Sequence, residues 1–131
     1  MKYLIDTVIW LWSIDSVDKM NNACRRILED GIEEIYFSAA TAWELSIKAR
    51  LGKLHLPGSP AQCIPAYVAK QGLRPLPVTH LHAVAVYDLP PHHRDPFDRL
   101  IIAQAMVEEL TVLTSDRAFQ KYSVDVLWCG K

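Results

Sequence analysis

The sequence predicts an α/β fold built on a mostly parallel sheet covered on both faces. Three observations carry that expectation. Short runs of strand length alternate along the chain with longer stretches of helical spacing. Met1-Lys2-Tyr3-Leu4-Ile5 opens the chain as the kind of apolar run that a buried parallel strand shows. Isolated acids also stand at repeated addresses, where a strand hands over to a helix. In open α/β sheets that edge is where ligands bind.

Each element follows from local signals. After Asp6-Thr7, Val8 to Trp12 reads as a short buried helix or turn. From Asp18, the positions Met20, Cys24, Ile27 and Leu28 have helical spacing, and Gly31 is placed as a C-terminal stop. Glu34 to Ser38 is the second strand. Ala40 to Leu51 is helical, with Trp43, Ile47 and Leu51 at steps of four and Gly52 closing it. Leu54 to Pro60 is a loop, and Ser59-Pro60 caps a helix toward Gly72 that Pro65 is expected to kink or delay. Leu73 to Val78 holds two prolines and suits only an edge strand. Thr79 caps a short helix carrying Leu81, Val84, Ala85 and Val86, and Leu89-Pro90-Pro91-His92-His93 is a rigid connection. Asp95 is then an N-cap, Pro96 the first helical residue, and Asp98 lies in the opening turn of a strongly apolar helix. Thr111 to Thr114 is the fourth strand, Ser115-Asp116 opens a short helix through Phe119, and Val124 to Leu127 is the last strand.

With 131 residues, the chain fits one domain, residues 1–131, long enough to bury a core. It is 50% hydrophobic and 22% charged, an ordinary globular balance. A net charge of −1 provides no global positive field for nucleic acid. Such contact would need a local basic patch or metal ions. Cys24, Cys63 and Cys129 form no CxxC pair and suit reduced thiols. Asp6 interrupts the N-terminal apolar run before a signal peptide could form, and no stretch there spans a membrane. A cytoplasmic location is expected.

Asp6, Glu44, Asp98 and Asp116 are the acids at comparable addresses, with Asp95 a possible fifth. Each has a plain structural reading. Asp6 or Thr7 caps a helix, Glu44 pairs with Lys48 on a surface, and Asp95 and Asp98 complement a helix dipole. Parallel strands nevertheless bring their carboxyl ends to one edge, so the set can converge. Carboxylates in one pocket raise one another's pKa values, and a hard divalent cation such as Mg²⁺ or Mn²⁺ removes the conflict.

Leu4-Ile5-Asp6-Thr7, Ala42-Trp43-Glu44-Leu45-Ser46-Ile47-Lys48, His93 to Ala105 and Thr114-Ser115-Asp116 resemble the PIN-domain family. They are similar, more narrowly, to the VapC-type toxins of type II toxin–antitoxin pairs. The likeness runs over essentially the whole chain, and the Asp95-Pro96-Phe97-Asp98-Arg99 block is its most specific piece. It implies a three-layer α/β/α sandwich and a metal-dependent endoribonuclease. The family's acids match Asp6, Glu44, Asp98 and Asp116, as catalytic residues and as ligands of Mg²⁺ or Mn²⁺; no cofactor beyond the metal is implied. Thr114 matches a hydroxyl position that helps hold the site, with Thr7 beside Asp6, and Asp95 is assigned to helix capping. The resemblance further implies an RNA substrate, a homodimer, and a cognate VapB-type antitoxin whose C-terminal segment blocks the acidic groove.

Other residues carry two readings. Arg94 and Arg99 flank the acids as candidates for phosphate contact or charge balance. Lys48, Arg50 and Lys53 either track an RNA backbone or form a solvated face. Adjacent His92 and His93 point apart and lack a helical zinc spacing, so phosphate contact or loop packing is expected of them rather than ligation. His80 and His82 are expected at the surface. Trp10, Trp12 and Trp43 suit core or subunit-interface packing. A receiver domain would need an acidic pair near the first strand and a lysine after the last, and a dehalogenase-type phosphatase a DxD motif; both are missing. A non-catalytic interaction module and a housekeeping RNA-processing nuclease stay open as alternatives.

Overall fold

The computed structural model describes residues 1–131. Its sheet is parallel throughout. β1 (Lys2–Ile5) lies at the centre, between β2 (Glu34–Ser38) and β4 (Thr111–Thr114), with β3 (Arg74–Leu76) outside β2 and β5 (Val126–Trp128) outside β4. The strand order β3-β2-β1-β4-β5 runs outward in one direction and then restarts on the other side of β1. That reversal is a topological switch point, where the loops after β1 and β4 part and leave a crevice.

Alternation along the strands divides the core in two. Tyr3, Ile5, Ile35, Phe37 and Leu113 face one cluster, which takes Ile9 and Trp10 from α1 (Thr7–Asp15) and Cys24 from α2 (Asn22–Asp30). Cys63, Ile64 and Val68 join it from α4 (Pro60–Lys70). Leu4 and Val112 face the other cluster, filled by Ile101, Ile102, Ala103 and Ala105 of α6 (Pro96–Glu108). Helices over both faces make the expected three-layer α/β/α sandwich, with α5 (His80–Ala85) packed on α6.

Local expectations were met with instructive exceptions. Gly31 ends α2 at φ 67°, a left-handed conformation that favours glycine. Pro65 sits inside α4 without delaying it, for the helix starts at Pro60 behind the Ser59 cap. An interior proline costs about 3 kcal/mol, and burial of Cys63, Ile64 and Val68 on the same helix offsets it. α3 (Ala39–Arg50) keeps its predicted period but presents the other face. Trp43, Ile47 and Leu51 point outward, Trp43 at 59% exposure, while Ala40, Thr41, Glu44 and Leu45 are buried. His82 is a correction of the same kind. It is 1% exposed, because it completes a capping box at the start of α5. Its Nδ1 accepts from the Thr79 N–H at 3.0 Å and its Nε2 lies 2.7 Å from Glu108. Cys24, Cys63 and Cys129 are buried and unpaired. No helix is long and apolar enough to cross a membrane.

Candidate active site

Four elements deliver one carboxylate each to the crevice at the C-terminal edge of the sheet. Asp6 follows β1 and caps α1, its Oδ1 accepting from the Thr7 N–H at 2.8 Å. Glu44 comes from the second turn of α3, which starts at the Ser38 cap directly after β2. Asp98 lies in the first turn of α6, and Asp116 follows β4. All four, with Asp95, Lys48 and Lys53, line a cleft of about 380 Å³. The acids that the sequence singled out are therefore together.

On the β1 side the acids are buried and held. Asp6 is 4% exposed, and its Oδ2 accepts from the Thr114 hydroxyl at 2.9 Å. Thr114 in turn accepts from the Asp116 N–H at 3.0 Å, tying the loops after β1 and β4 together. Glu44 is also 4% exposed. Thr7 donates its hydroxyl to Oε1 at 3.0 Å, and Lys48 donates to Oε2 at 2.7 Å. The Glu44–Lys48 pair thus exists, but its carboxylate is a buried cleft group rather than a surface one. Thr41, whose oxygen lies 3.0 Å from that of Thr7, belongs to the same network and gave no sign in the sequence.

The other side is more open. Asp116 caps the following 3₁₀ turn, accepting from the Ala118 N–H at 2.9 Å, and its side chain is 43% exposed. His93 Nε2 lies 2.9 Å from the other Asp116 oxygen, and His93 Nδ1 lies 3.0 Å from the Tyr122 hydroxyl. Ligand atoms of His93, Asp98 and Asp116 all fall within 4.8 Å of one another. Asp95 does what capping predicts, accepting from the N–H groups of Phe97 at 2.8 Å and Asp98 at 3.3 Å.

Electrostatics follow from this crowding. Burial, opposed by the bonds from Thr114 and Thr7 and reinforced by the charges of Asp116 and Glu44, raises the Asp6 carboxyl to about 6. Burial again, then the charges of Asp6, Asp95, Glu44 and Asp116, raise Asp98 to about 7. Lys48 moves up because it donates to Glu44. Asp98 has no cationic partner and no hydrogen bond to its side chain, the condition of a carboxylate awaiting a cation. The donor set fits a divalent ion.

The two arginines take different places. Arg94 is exposed and bonds to none of the acids. Arg99 turns away and donates to the carbonyls of Val86, Leu89 and Pro90, because α6 carries it toward the loop that leads in from α5. Its guanidinium thereby clamps that loop. Of the basic trio, Lys48 and Lys53 line the cleft, and Arg50 does not. Trp10 is core, whereas Trp43 is exposed with its ring edge-on to Phe97 at 4.9 Å.

Known proteins are similar to this chain in sequence and in fold. Over 61 residues, 47% of the chain, it is 43% identical to Ribonuclease VapC16 of Mycobacterium tuberculosis, and the match spans 43% of that relative's length. VapBC2 from Rickettsia felis, solved bound to a DNA fragment from its promoter, superposes with a TM-score of 0.74 at 16% identity, over 97% of this chain and 98% of that one. DNA-bound VapBC from Salmonella typhimurium gives 0.73 at 17% identity, over 97% of both. At such identities the structural likeness is one of fold. The family model described as PIN domain matches residues 3–125, nearly the whole length, and the chain belongs to the PIN domain family.

Proposed function

We propose that the protein is a metal-dependent endoribonuclease that acts as the toxin of a toxin–antitoxin pair. The observation that carries this reading is the convergence of Asp6, Glu44, Asp98 and Asp116, from four separate elements, on one cleft at the switch point. Membership of the PIN family and the partial match to a ribonuclease support it.

Asp6, Asp98 and Asp116 would hold Mg²⁺ or Mn²⁺, with Glu44 completing the set. A bound divalent cation supplies Lewis acidity, which makes water a better nucleophile and offsets charge at the phosphoryl oxygens. The chain's own groups do the rest. Thr114 and the Thr7 N–H fix both Asp6 oxygens, so this acid need not reorganise during the reaction. Thr7 and Lys48 aim Glu44, and Lys48 and Lys53 present positive charge to the RNA phosphates. The water oxygen bonds to phosphorus as the bond to the 3′ oxygen breaks. One water proton ends on that oxygen, leaving a 5′-phosphate and a 3′-hydroxyl.

A VapB-type antitoxin is the partner this reading expects, docking where the acid cleft meets the apolar wall of Val8, Leu11 and Leu54. The outward stripe of Trp43, Ile47 and Leu51 on α3 supports a homodimer. Three buried unpaired thiols suit a reducing cytoplasm.

The test is cleavage of a total-RNA pool by purified, antitoxin-free protein, with and without Mg²⁺ or Mn²⁺, beside Asp98→Asn. Discrete cuts that need metal and vanish in the variant support the nuclease. Equal cutting by both proteins would show contamination or a misplaced site. A metal-loaded protein that cuts nothing would favour an interaction module.

A further inference from the structure

We propose that His93 is itself a metal ligand, joining Asp98 and Asp116, and that this nitrogen donor makes the cleft prefer a first-row transition ion such as Mn²⁺ over Mg²⁺. The inference rests on the metal-dependent reading of the cleft and adds a residue and a metal class to it.

The geometry is that of a preset ligand. His93 sits in the connection behind Pro90 and Pro91, and its side chain is 9% exposed. Its ring stacks on Tyr122 at 5.5 Å with an interplanar angle of 27°, and meets Phe119 edge-on at 5.1 Å. Those two contacts fix the ring plane, so Nε2 faces the carboxylates while Nδ1 faces the Tyr122 hydroxyl. The separation of 2.9 Å between Nε2 and Asp116 matches the edge between neighbouring ligands of an octahedral ion, about 3.0 Å when bonds are about 2.1 Å. Asp98 supplies a third donor within 4.8 Å, and no other group of the protein bonds its carboxylate.

Tyr122 lets the ring serve both with and without a metal. A phenol hydroxyl both donates and accepts. When Tyr122 donates to Nδ1, the proton is on Nε2 and the ring donates to Asp116. When Tyr122 accepts from an Nδ1–H, the Nε2 lone pair faces Asp98 and Asp116, a position that a cation held between the three satisfies. The change is one of tautomer, with the net charge of the ring unaltered. Ligating histidines ordinarily give their second N–H to an oxygen partner, the place Tyr122 occupies here. Magnesium prefers an all-oxygen shell, whereas an imidazole donor shifts preference toward transition ions.

The experiment is pulsed electron paramagnetic resonance on the full chain loaded with Mn²⁺ alone, together with calorimetric titration of Mn²⁺ and Mg²⁺. Directly bonded imidazole imposes a nitrogen modulation on the Mn²⁺ echo, a signature that simple loop packing cannot produce. Wild type should show it, His92→Gln should keep it, and His93→Gln should lose it. The ratio of Mn²⁺ to Mg²⁺ affinity should fall on the order of tenfold in His93→Gln. Mn²⁺ bound with an oxygen-only signal in wild type would overturn the His93 assignment and leave the carboxylate metal site standing, and it does so whether or not His93→Gln folds. Mn²⁺ that does not bind at all would overturn both.

Discussion

The β1 side of the cleft and the α6 side solve opposite problems with the same residue types. Asp6 and Glu44 are buried, and each of their four oxygens has a donor: Thr7 N–H, Thr114, the Thr7 hydroxyl and Lys48. Asp98 and Asp116 lie nearer solvent; Asp98 has no partner for its side chain, and Asp116 has His93. The first pair is therefore architecture as well as chemistry, joining the loops after β1 and β4 to α3. In the second pair Asp116 is held by the Ala118 N–H and His93, but Asp98 is left without a partner at a cost to the protein, the condition in which a carboxylate favours a cation.

Asp98→Asn breaks the comparison most cleanly. Cleavage should fall by at least about 10²–10³-fold, the scale of losing a group that stabilises the transition state. The fold should not suffer. An Asp near its ordinary value of about 3.9 when unfolded and near 7 when folded binds more protons in the native state between those values. Metal-free wild type should therefore lose stability as pH rises from about 4 through 7, with Asp6, raised to about 6, contributing in the same direction. Scanning calorimetry should show that slope in wild type and a flatter profile in Asp98→Asn; an equally steep profile would contradict the account. Asp6→Ala should lose cleavage to a similar degree but also unfold more easily. It removes an N-cap worth about 0.5–2 kcal/mol and strands the buried Thr114 hydroxyl. Urea unfolding separates the two variants.

The same contrast explains what was legible in the sequence. Strands, caps and the acid quartet were readable because each has a local cause: an apolar run, a polar residue before a helix, a motif of fixed spacing. Which face of α3 turns inward was not. Its apolar steps of four, Trp43, Ile47 and Leu51, define a helix, but the buried face carries Thr41 and Glu44, whose burial is made affordable only by Thr7 and Lys48 from tertiary structure. The contacts of His93 were not legible because it lies in an irregular connection, where no periodicity tells direction. Its partners, Asp116 and Tyr122, are 23 and 29 residues away. His82 was assigned to the surface because a histidine at a helix start says nothing of the Glu108 it meets on α6.

Thr114→Val sharpens the comparison at its hinge. The hydroxyl donates to Asp6 and accepts from the Asp116 N–H, so its loss touches both sides of the cleft. A cost of about 1–3 kcal/mol in urea unfolding is expected, since the residue is fully buried. Cleavage should fall by roughly tenfold, less than for either acid, because the carboxylates remain.

The smallest effect on cleavage belongs to Arg99→Gln. Its guanidinium spans three carbonyls, of Val86, Leu89 and Pro90, at 2.9–3.2 Å, and none of the four acids. If Arg99 were a phosphate contact, neutralising it would weaken RNA binding and lessen the salt dependence of that binding. If it is a clamp, the salt dependence stays as in wild type, and the loss appears as about 1–3 kcal/mol of stability from hydrogen bonds to a charged group. Measuring cleavage against salt for both proteins decides between them. A change in slope would return Arg99 to the substrate-facing side, and an unchanged slope with a lower unfolding midpoint would keep it with the loop it holds.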